Sequence, residues 1–261
     1  MNSQNLISPK TSIMKYLSLK TFIIILFLTV TLAGYGQDEL AGHEQEGQDG
    51  QVENADDKPT VDVGADLVSL YVWRGMYQGG ISIQPALSLS IYGITVGAWG
   101  SAGFPEFAKE VDFYLSYEWK GFTATLSDYW WKGEGTSYFR DGSSHHLEAG
   151  LGFTFSEKFP LSLEVNTMLS GDEDRDDDDR KYYSTYIAAG FPFSVGTIAC
   201  EAGIGITPYK GMYYKKFAVT NISVKATKSL QLSSTYEMPV FVELIFSPAQ
   251  DNAFFVFGIQ F

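Results

Sequence analysis

The chain has 261 residues, a formal net charge of −13, 45% hydrophobic and 15% aromatic residues, and a mean hydropathy near zero, −0.05. Such a mean, with one long apolar run confined to the N-terminus, excludes a helical membrane bundle. A single cysteine, Cys200, excludes a disulfide framework and a cysteine-based metal site, and the acidic balance makes nucleic acid a poor partner. No motif for a cofactor is found.

Residues 1–36 read as a secretory signal. Lys15 and Lys20 supply the positive start, Thr21 to Leu32 the apolar core, and Ala33-Gly34-Tyr35-Gly36 the small residues of a cleavage site. Met14 is a second possible initiator beside Met1. A retained membrane anchor is the alternative, but the apolar core is short and no stop-transfer charges follow. Residues 37–60 have almost no apolar content. Between 38 and 58 they hold eight acids and one lysine, a net of −7. They read as an acidic flexible linker, and His43 within it as a solvated residue.

From residue 61 to 261 the sequence is a series of period-two segments. In Ser82–Ile91, Ile83, Leu87, Leu89 and Ile91 alternate with Gln84, Ser88 and Ser90. The same pattern follows in Ile94–Ala98, Val111–Trp119, Phe122–Leu126, Leu147–Phe155, Leu161–Val165, Tyr183–Ala189, Ile198–Ile206, Ile222–Ala226 and Val240–Phe246. With the first segment, read as one strand from Val61 to Trp73, and the last, this predicts an all-β fold: a transmembrane, antiparallel, up-and-down β-barrel of about twelve strands. An even count puts both ends of the barrel on one side of the membrane. The connections alternate in length. Tyr92-Gly93, Lys120-Gly121, 156–160 and 194–196 are short; 74–80, 102–109, 132–144, 171–181 and 208–216 are longer. Short periplasmic turns and longer outer loops have that asymmetry. Asp66 shares the parity of Val68, Leu70 and Val72, which predicts a bulge or mixed facing in the first strand. The short turn within 227–238 has no fixed place.

Aromatic residues gather towards strand ends. Trp73, Tyr77, Trp130, Trp131, Tyr182, Tyr183, Tyr209, Tyr213 and Tyr214 lie near the presumed outer ends, and Trp119, Phe122, Phe155, Phe159, Phe191 and Phe193 near the inner ones. Two girdles at the lipid headgroups account for this. In the last segment, Phe255, Phe257, Ile259 and Phe261 form one apolar row. A soluble edge strand of that kind invites aggregation, and a strand that closes a barrel in lipid does not. This ending resembles the closing strand of bacterial outer-membrane barrels. The resemblance implies that Phe257, Ile259 and Phe261 form the signal read by the barrel-assembly machinery. The alternative is the last strand of a soluble sandwich.

Tyr71-Val72-Trp73-Arg74-Gly75, Gln84-Pro85-Ala86 and Gly97-Ala98-Trp99-Gly100-Ser101 resemble the TorF-like porin family. Ser127-Asp128-Tyr129-Trp130, Ala218-Val219-Thr220-Asn221 and the Phe-Val-Phe-Gly ending look like its Bacteroidetes-type members. The resemblance spans roughly 61–261 and implies a barrel in the outer membrane, with outer-membrane lipid and small solutes as partners.

Alternation places Glu110, Asp112, Glu118, Glu148, Glu164, Glu201 and Glu243 opposite the lipid-facing rows, with Lys225 the one base among them. A lumen rich in carboxylates concentrates cations and repels anions. The expected function is therefore passive diffusion of small solutes with a preference for cations. The rival is a structural or surface-interaction barrel with a plugged lumen, the acids bonding to Tyr114 and Tyr186. Arg74 and Asp128, both near outer strand ends, are candidates for a pair across the pore mouth; Asp128 has the parity of Leu126, so that pairing requires a bulge.

A hydrolase is a third reading. His145 and His146 adjoin Ser143 and Ser144, but the His-x-Ser-Asn arrangement of outer-membrane phospholipases is absent, and no spacing supports an omptin-like grouping of Asp128, Asp141 and His146. Adjacent histidines on a strand point to opposite faces and cannot share a metal. The acidic run Asp172–Lys181 has Asp177 where a calcium loop needs its glycine and Tyr183 where it needs its glutamate. It reads as a solvated outer loop, with weak binding of divalent cations the alternative.

Overall fold

The computed structural model describes residues 58–104, 109–131, 137–139 and 144–261. The signal, most of the linker, His43, Asp141 and Ser143 lie outside them. The fold is a closed antiparallel barrel of twelve strands with a two-stranded hairpin set apart from it. The strands are β1 (Thr60–Val68), β2 (Tyr71–Trp73), β3 (Met76–Gly79), β4 (Ser82–Ile91), β5 (Ile94–Gly103), β6 (Lys109–Trp119) and β7 (Phe122–Trp131). They continue with β8 (His145–Ser156), β9 (Phe159–Ser170), β10 (Thr185–Val195), β11 (Ile198–Thr207), β12 (Ala218–Gln231), β13 (Glu237–Ser247) and β14 (Asn252–Gln260). The barrel uses all of these except β2 and β3, each strand paired with its neighbours in sequence and β1 closing against β14.

Turn chemistry sets the register. Tyr92-Gly93 and Lys120-Gly121 each have both residues at positive φ, the type I′ geometry that matches the twist of the flanking strands. They join β4 to β5 and β6 to β7 at one end of the barrel. The other links at that end are 157–158, 196–197 and 232–236, the last being the turn that the sequence left unplaced. At the opposite end the links run over 69–81, 104–108, 132–144, 171–184, 208–217 and 248–251. We call these the short-turn mouth and the long-loop mouth.

The period-two pattern sorts side chains cleanly on most strands. Phe113, Leu115, Tyr117 and Trp119 of β6 point outward and are 44–56% exposed, whereas Glu110 and Asp112 point inward at 8% each. The outer wall is largely apolar, with Leu87, Leu126, Leu151, Val165, Ile204, Ile222, Leu244 and Phe257 exposed on eight of the twelve strands. Near the short-turn mouth, rings touch in series from Phe122 to Phe153, Phe155, Phe159 and Phe191 at centroid distances of 4.5 to 6.1 Å.

The first segment departs from the single strand expected over 61–73. β1 ends at Val68, and its register with β4 runs without a shift from Thr60 to Val68, so no bulge is present. The facing of its inward row is instead mixed. Asp66 accepts a hydrogen bond from the Gln260 amide (3.4 Å), and Val68, on the same face, is buried. Beyond Ser69 the chain leaves the wall and folds back as the hairpin β2–β3.

Candidate functional site

Where the hairpin goes decides what the barrel can do. Its turn is Arg74-Gly75, with φ of 52° and 80°, and Trp73 pairs with Met76. This is the same two-residue I′ turn as in the wall. A Cβ on Gly75 would lie 1.8 Å from the carbonyl oxygen of Thr220 in β12, so only glycine lets the tip seat there. Leu70 and Val72 pack on Val68, Phe241, Ile245, Phe254 and Val256. These five are inward-facing residues of β1, β13 and β14, so this part of the inner wall is apolar, and the hairpin lies inside the barrel against it. On β13 and β14 much of the inward row is apolar as well, so the alternation in hydropathy there is weaker.

On its other side the hairpin meets a polar and aromatic wall. Arg74 donates to both carboxylate oxygens of Glu148, Nη1 to Oε2 at 2.6 Å and Nη2 to Oε1 at 2.7 Å, the bidentate fork that a guanidinium suits best. Tyr129 donates to Oε1 (2.9 Å) and Tyr213 to Oε2 (3.1 Å), and Arg74 also reaches the Tyr213 hydroxyl. Glu148 thus accepts four hydrogen bonds, its full capacity. The Arg74 guanidinium lies 4.5 Å from the Trp73 ring centroid and 4.6 Å from that of Tyr186. Trp73 in turn touches Tyr129, Trp131 and Tyr213 with centroids 5.8 to 5.9 Å apart. Tyr71 contacts Trp99 at 5.5 Å, and Tyr71 and the Trp131 indole both reach the carboxylate of Glu110.

Loops at the long-loop mouth add further contacts. Tyr213, 2% exposed, comes from the 208–217 link, and the Met212 N–H donates to the Ser184 hydroxyl at 2.7 Å. In the acidic link, Asp174 is fully buried and accepts from the backbone N–H groups of Tyr183 (3.0 Å) and Ser184 (2.9 Å). Three further acids are paired locally: Asp179 with Arg175, and Asp176 and Asp178 with Arg180. Glu173 bonds His146, which packs on Trp131 at 4.1 Å. That hydrogen bond holds the Glu173 carboxyl below its ordinary range, and the Arg180 backbone N–H does the same for Asp176. Among the described residues no group of three or more His, Cys, Asp or Glu side chains is arranged to hold a metal ion.

The pairing of Arg74 with Asp128 is corrected. β7 carries no bulge at Asp128, which stays on the outward row with Leu126 and bonds His145 Nδ1 at 3.0 Å. The other nitrogen of His145 faces the carbonyl of Tyr138 at 2.9 Å. The outer girdle also loses members: Trp73, Trp131 and Tyr213 belong to the closure inside the barrel, where their rings contact one another or His146.

The acids read as a lumen row fall in four places. Glu110, Asp112 and Glu148 are buried beside the hairpin. Glu164 lines a cavity of about 280 Å³ on the short-turn side of it, whose wall also includes Thr123, Thr125, Ser127, Ser162 and Asn166, with Arg74, Tyr129 and Glu148 at its closed end. Glu201 and Glu243 lie on the strands either side of Lys225, in direct register with it, and the Lys225 ammonium sits 4.0 Å from the Phe241 ring centroid. Glu118 is exposed beside the turn at Gly93. In the last strand Phe257 and Phe261 are exposed on the outer wall at 45% and 62%, and Ile259 is part-exposed in the same row.

No protein-family model and no curated protein sequence matches the chain. Among solved structures it is similar to Wzi of Escherichia coli, described as an outer membrane protein involved in group 1 capsule assembly and a carbohydrate-binding β-barrel. The identity is 10% and the TM-score 0.31, over 69% of this chain and 51% of that one, so the present chain spans about half the length of Wzi.

Proposed function

We propose that this protein is an outer-membrane barrel whose lumen is closed by its own β2–β3 hairpin, and that its long-loop face serves as a structural or interaction surface. Strands of 9 to 14 residues suit a tilted crossing of a hydrocarbon layer. The apolar outer wall and the ring series near one mouth suit lipid and its headgroup boundary. Contact with outer-membrane lipid, delivery by the barrel-assembly machinery through Phe257, Ile259 and Phe261, and kinship with the TorF-like porins belong to the same proposal.

The observation that carries the closed lumen is the seating of Arg74. Withdrawing the hairpin breaks the two charge-assisted hydrogen bonds between Arg74 and Glu148, each worth about 1.5–3 kcal/mol. Withdrawing Leu70 and Val72 adds up to about 1.5–3 kcal/mol for each side chain. Several kcal/mol keep the open form below roughly one molecule in a thousand. The expected result in a planar bilayer is a folded barrel without steady conductance. Stable open channels in the wild-type protein would refute it.

The second reading is a narrow, cation-preferring diffusion pore. It is favoured by Glu164, Glu201 and Glu243 on the short-turn side of the closure. It requires the hairpin to leave the lumen. Replacing 70–80 by a short turn should then give channels whose reversal potential in a salt gradient favours the cation.

A further inference from the structure

Resting on the closed-lumen reading, we propose that the blind chamber under the hairpin is a binding site for a small organic cation, an ammonium or guanidinium compound, that enters from the short-turn mouth.

The chamber is a built cavity with one closed end. About 280 Å³ is below the usual range for drug-sized ligands and suits a molecule of roughly ten heavy atoms. Its wall of hydroxyls, an amide and a carboxylate offers directional polar contacts. Gly150 helps to make the room, since a Cβ there would stand 2.5 Å from the Asn166 carbonyl oxygen.

Charge selects the class of ligand. Arg74 at the closed end is neutralised by Glu148, and all four acceptor positions of Glu148 are filled by Arg74, Tyr129 and Tyr213. Neither half of that pair is free to recognise an ion. Glu164 is different: it is exposed to the chamber and has no ion-pair partner among the described residues. Across β10, the Glu201 carboxylate lies over Gly190, with Oε1 3.4 Å from where a Cβ would be, and Ser162 on the other side of the same gap. The Glu201, Lys225 and Glu243 row adds one further net negative charge. An anion would meet these acids with its only cation, Arg74, already engaged. A neutral polyol would satisfy the hydroxyls and leave Glu164 without a counter-charge. A cation with polar substituents satisfies both.

Calorimetry on the refolded full chain in detergent tests this, with agmatine, erythritol and succinate as probes. Agmatine should bind at one per barrel and weaken with salt, and the other two should not bind measurably. Glu164→Gln should weaken agmatine by about tenfold, the scale of one hydrogen bond to a charged group. Glu157→Gln in the adjoining turn, outside the chamber, should leave it unchanged. Erythritol binding as well as agmatine, absence of agmatine binding to wild-type protein, or an unaltered affinity in Glu164→Gln would each overturn the proposal. A closed barrel that ignores agmatine sinks this inference alone. A conducting barrel that binds agmatine through Glu164 sinks the closed-lumen reading alone.

Discussion

Arg74 and Glu148 meet through two parallel hydrogen bonds of 2.6 and 2.7 Å, although they stand 74 positions apart in the chain. One comes from the tip of an inserted hairpin and the other from the barrel wall. Their side chains are 10% and 3% exposed, so each is the other's replacement for water. Removing one should therefore cost more than removing both. Glu148→Gln and Arg74→Met are each expected to lose about 3–5 kcal/mol, and the double change less than the sum. Urea unfolding in detergent, followed by heat-modifiable migration, measures this; additive losses would show that the pair is not coupled.

Gly75→Val tests the seat of the hairpin and leaves the wall untouched. The residue has a φ of 80° and no space beside the Thr220 carbonyl, so a branched side chain prevents the tip from docking. The barrel should still fold, and the hairpin should be displaced. Bilayer recordings should show openings absent from wild type. A silent, correctly folded Gly75→Val barrel would place the closure elsewhere.

The acidic link should respond to pH in one direction. Glu173 is held below its usual range by His146, and Asp176 by the Arg180 backbone N–H and side chain. A carboxylate with a depressed folded-state value contributes ordering that is complete above its unfolded value and lost as pH falls through the folded one. The 172–182 segment should hence be ordered at neutral pH and loosen in acid, below the ordinary carboxylate range. Amide chemical shifts of the segment against pH report it. Glu173→Gln should remove part of the change, and loosening on going to alkaline pH would contradict the assignment.

Phe261→Asp probes assembly. Phe261 sits on the outer wall next to the seam, and its backbone exchanges hydrogen bonds with Ala65, Phe261 N–H to Ala65 at 2.9 Å and Ala65 N–H to Phe261 at 3.2 Å. Putting a carboxylate in the outward row should lower the yield of folded protein in the membrane fraction. Wild-type amounts would separate this side chain from insertion.

Much of the barrel was legible because period two holds wherever one face is apolar and the other polar. β6, β8 and β11 follow it, and the inward parity of Glu110, Asp112 and Glu148 was readable for that reason. Parity gives the face of a strand and says nothing of height or position around the ring, so the partner of Arg74 could not be read from it. Asp128 had the matching strand end and the wrong face. The hairpin was hidden because Tyr71-Val72-Trp73 continues the alternation of β1 and so extends a strand that in fact stops at Val68. Its turn carried a signal that went unused: Arg74-Gly75 has the same basic-residue-then-glycine form as Lys120-Gly121, which the sequence did mark as a tight turn. On β13 and β14 the row opposite the lipid-facing one, with Phe241, Ile245, Phe254 and Val256, is itself largely apolar, and that was an unused clue that something is packed inside.

The seam between β1 and β14 joins the earliest-made wall strand to the latest-made one. Every other junction in the ring links strands that are close in the chain, only β1 and β4 having the hairpin between them, and can form locally, soon after synthesis. This one has the longest possible loop to close, and long-range pairing is the slow part of forming a sheet. Until Phe261 is available to Ala65, the growing sheet is a curved ribbon with two open edges, ready to pair with any other strand it meets. The ring is thus finished only when its first and last wall strands have met, whatever the order in which the others pair.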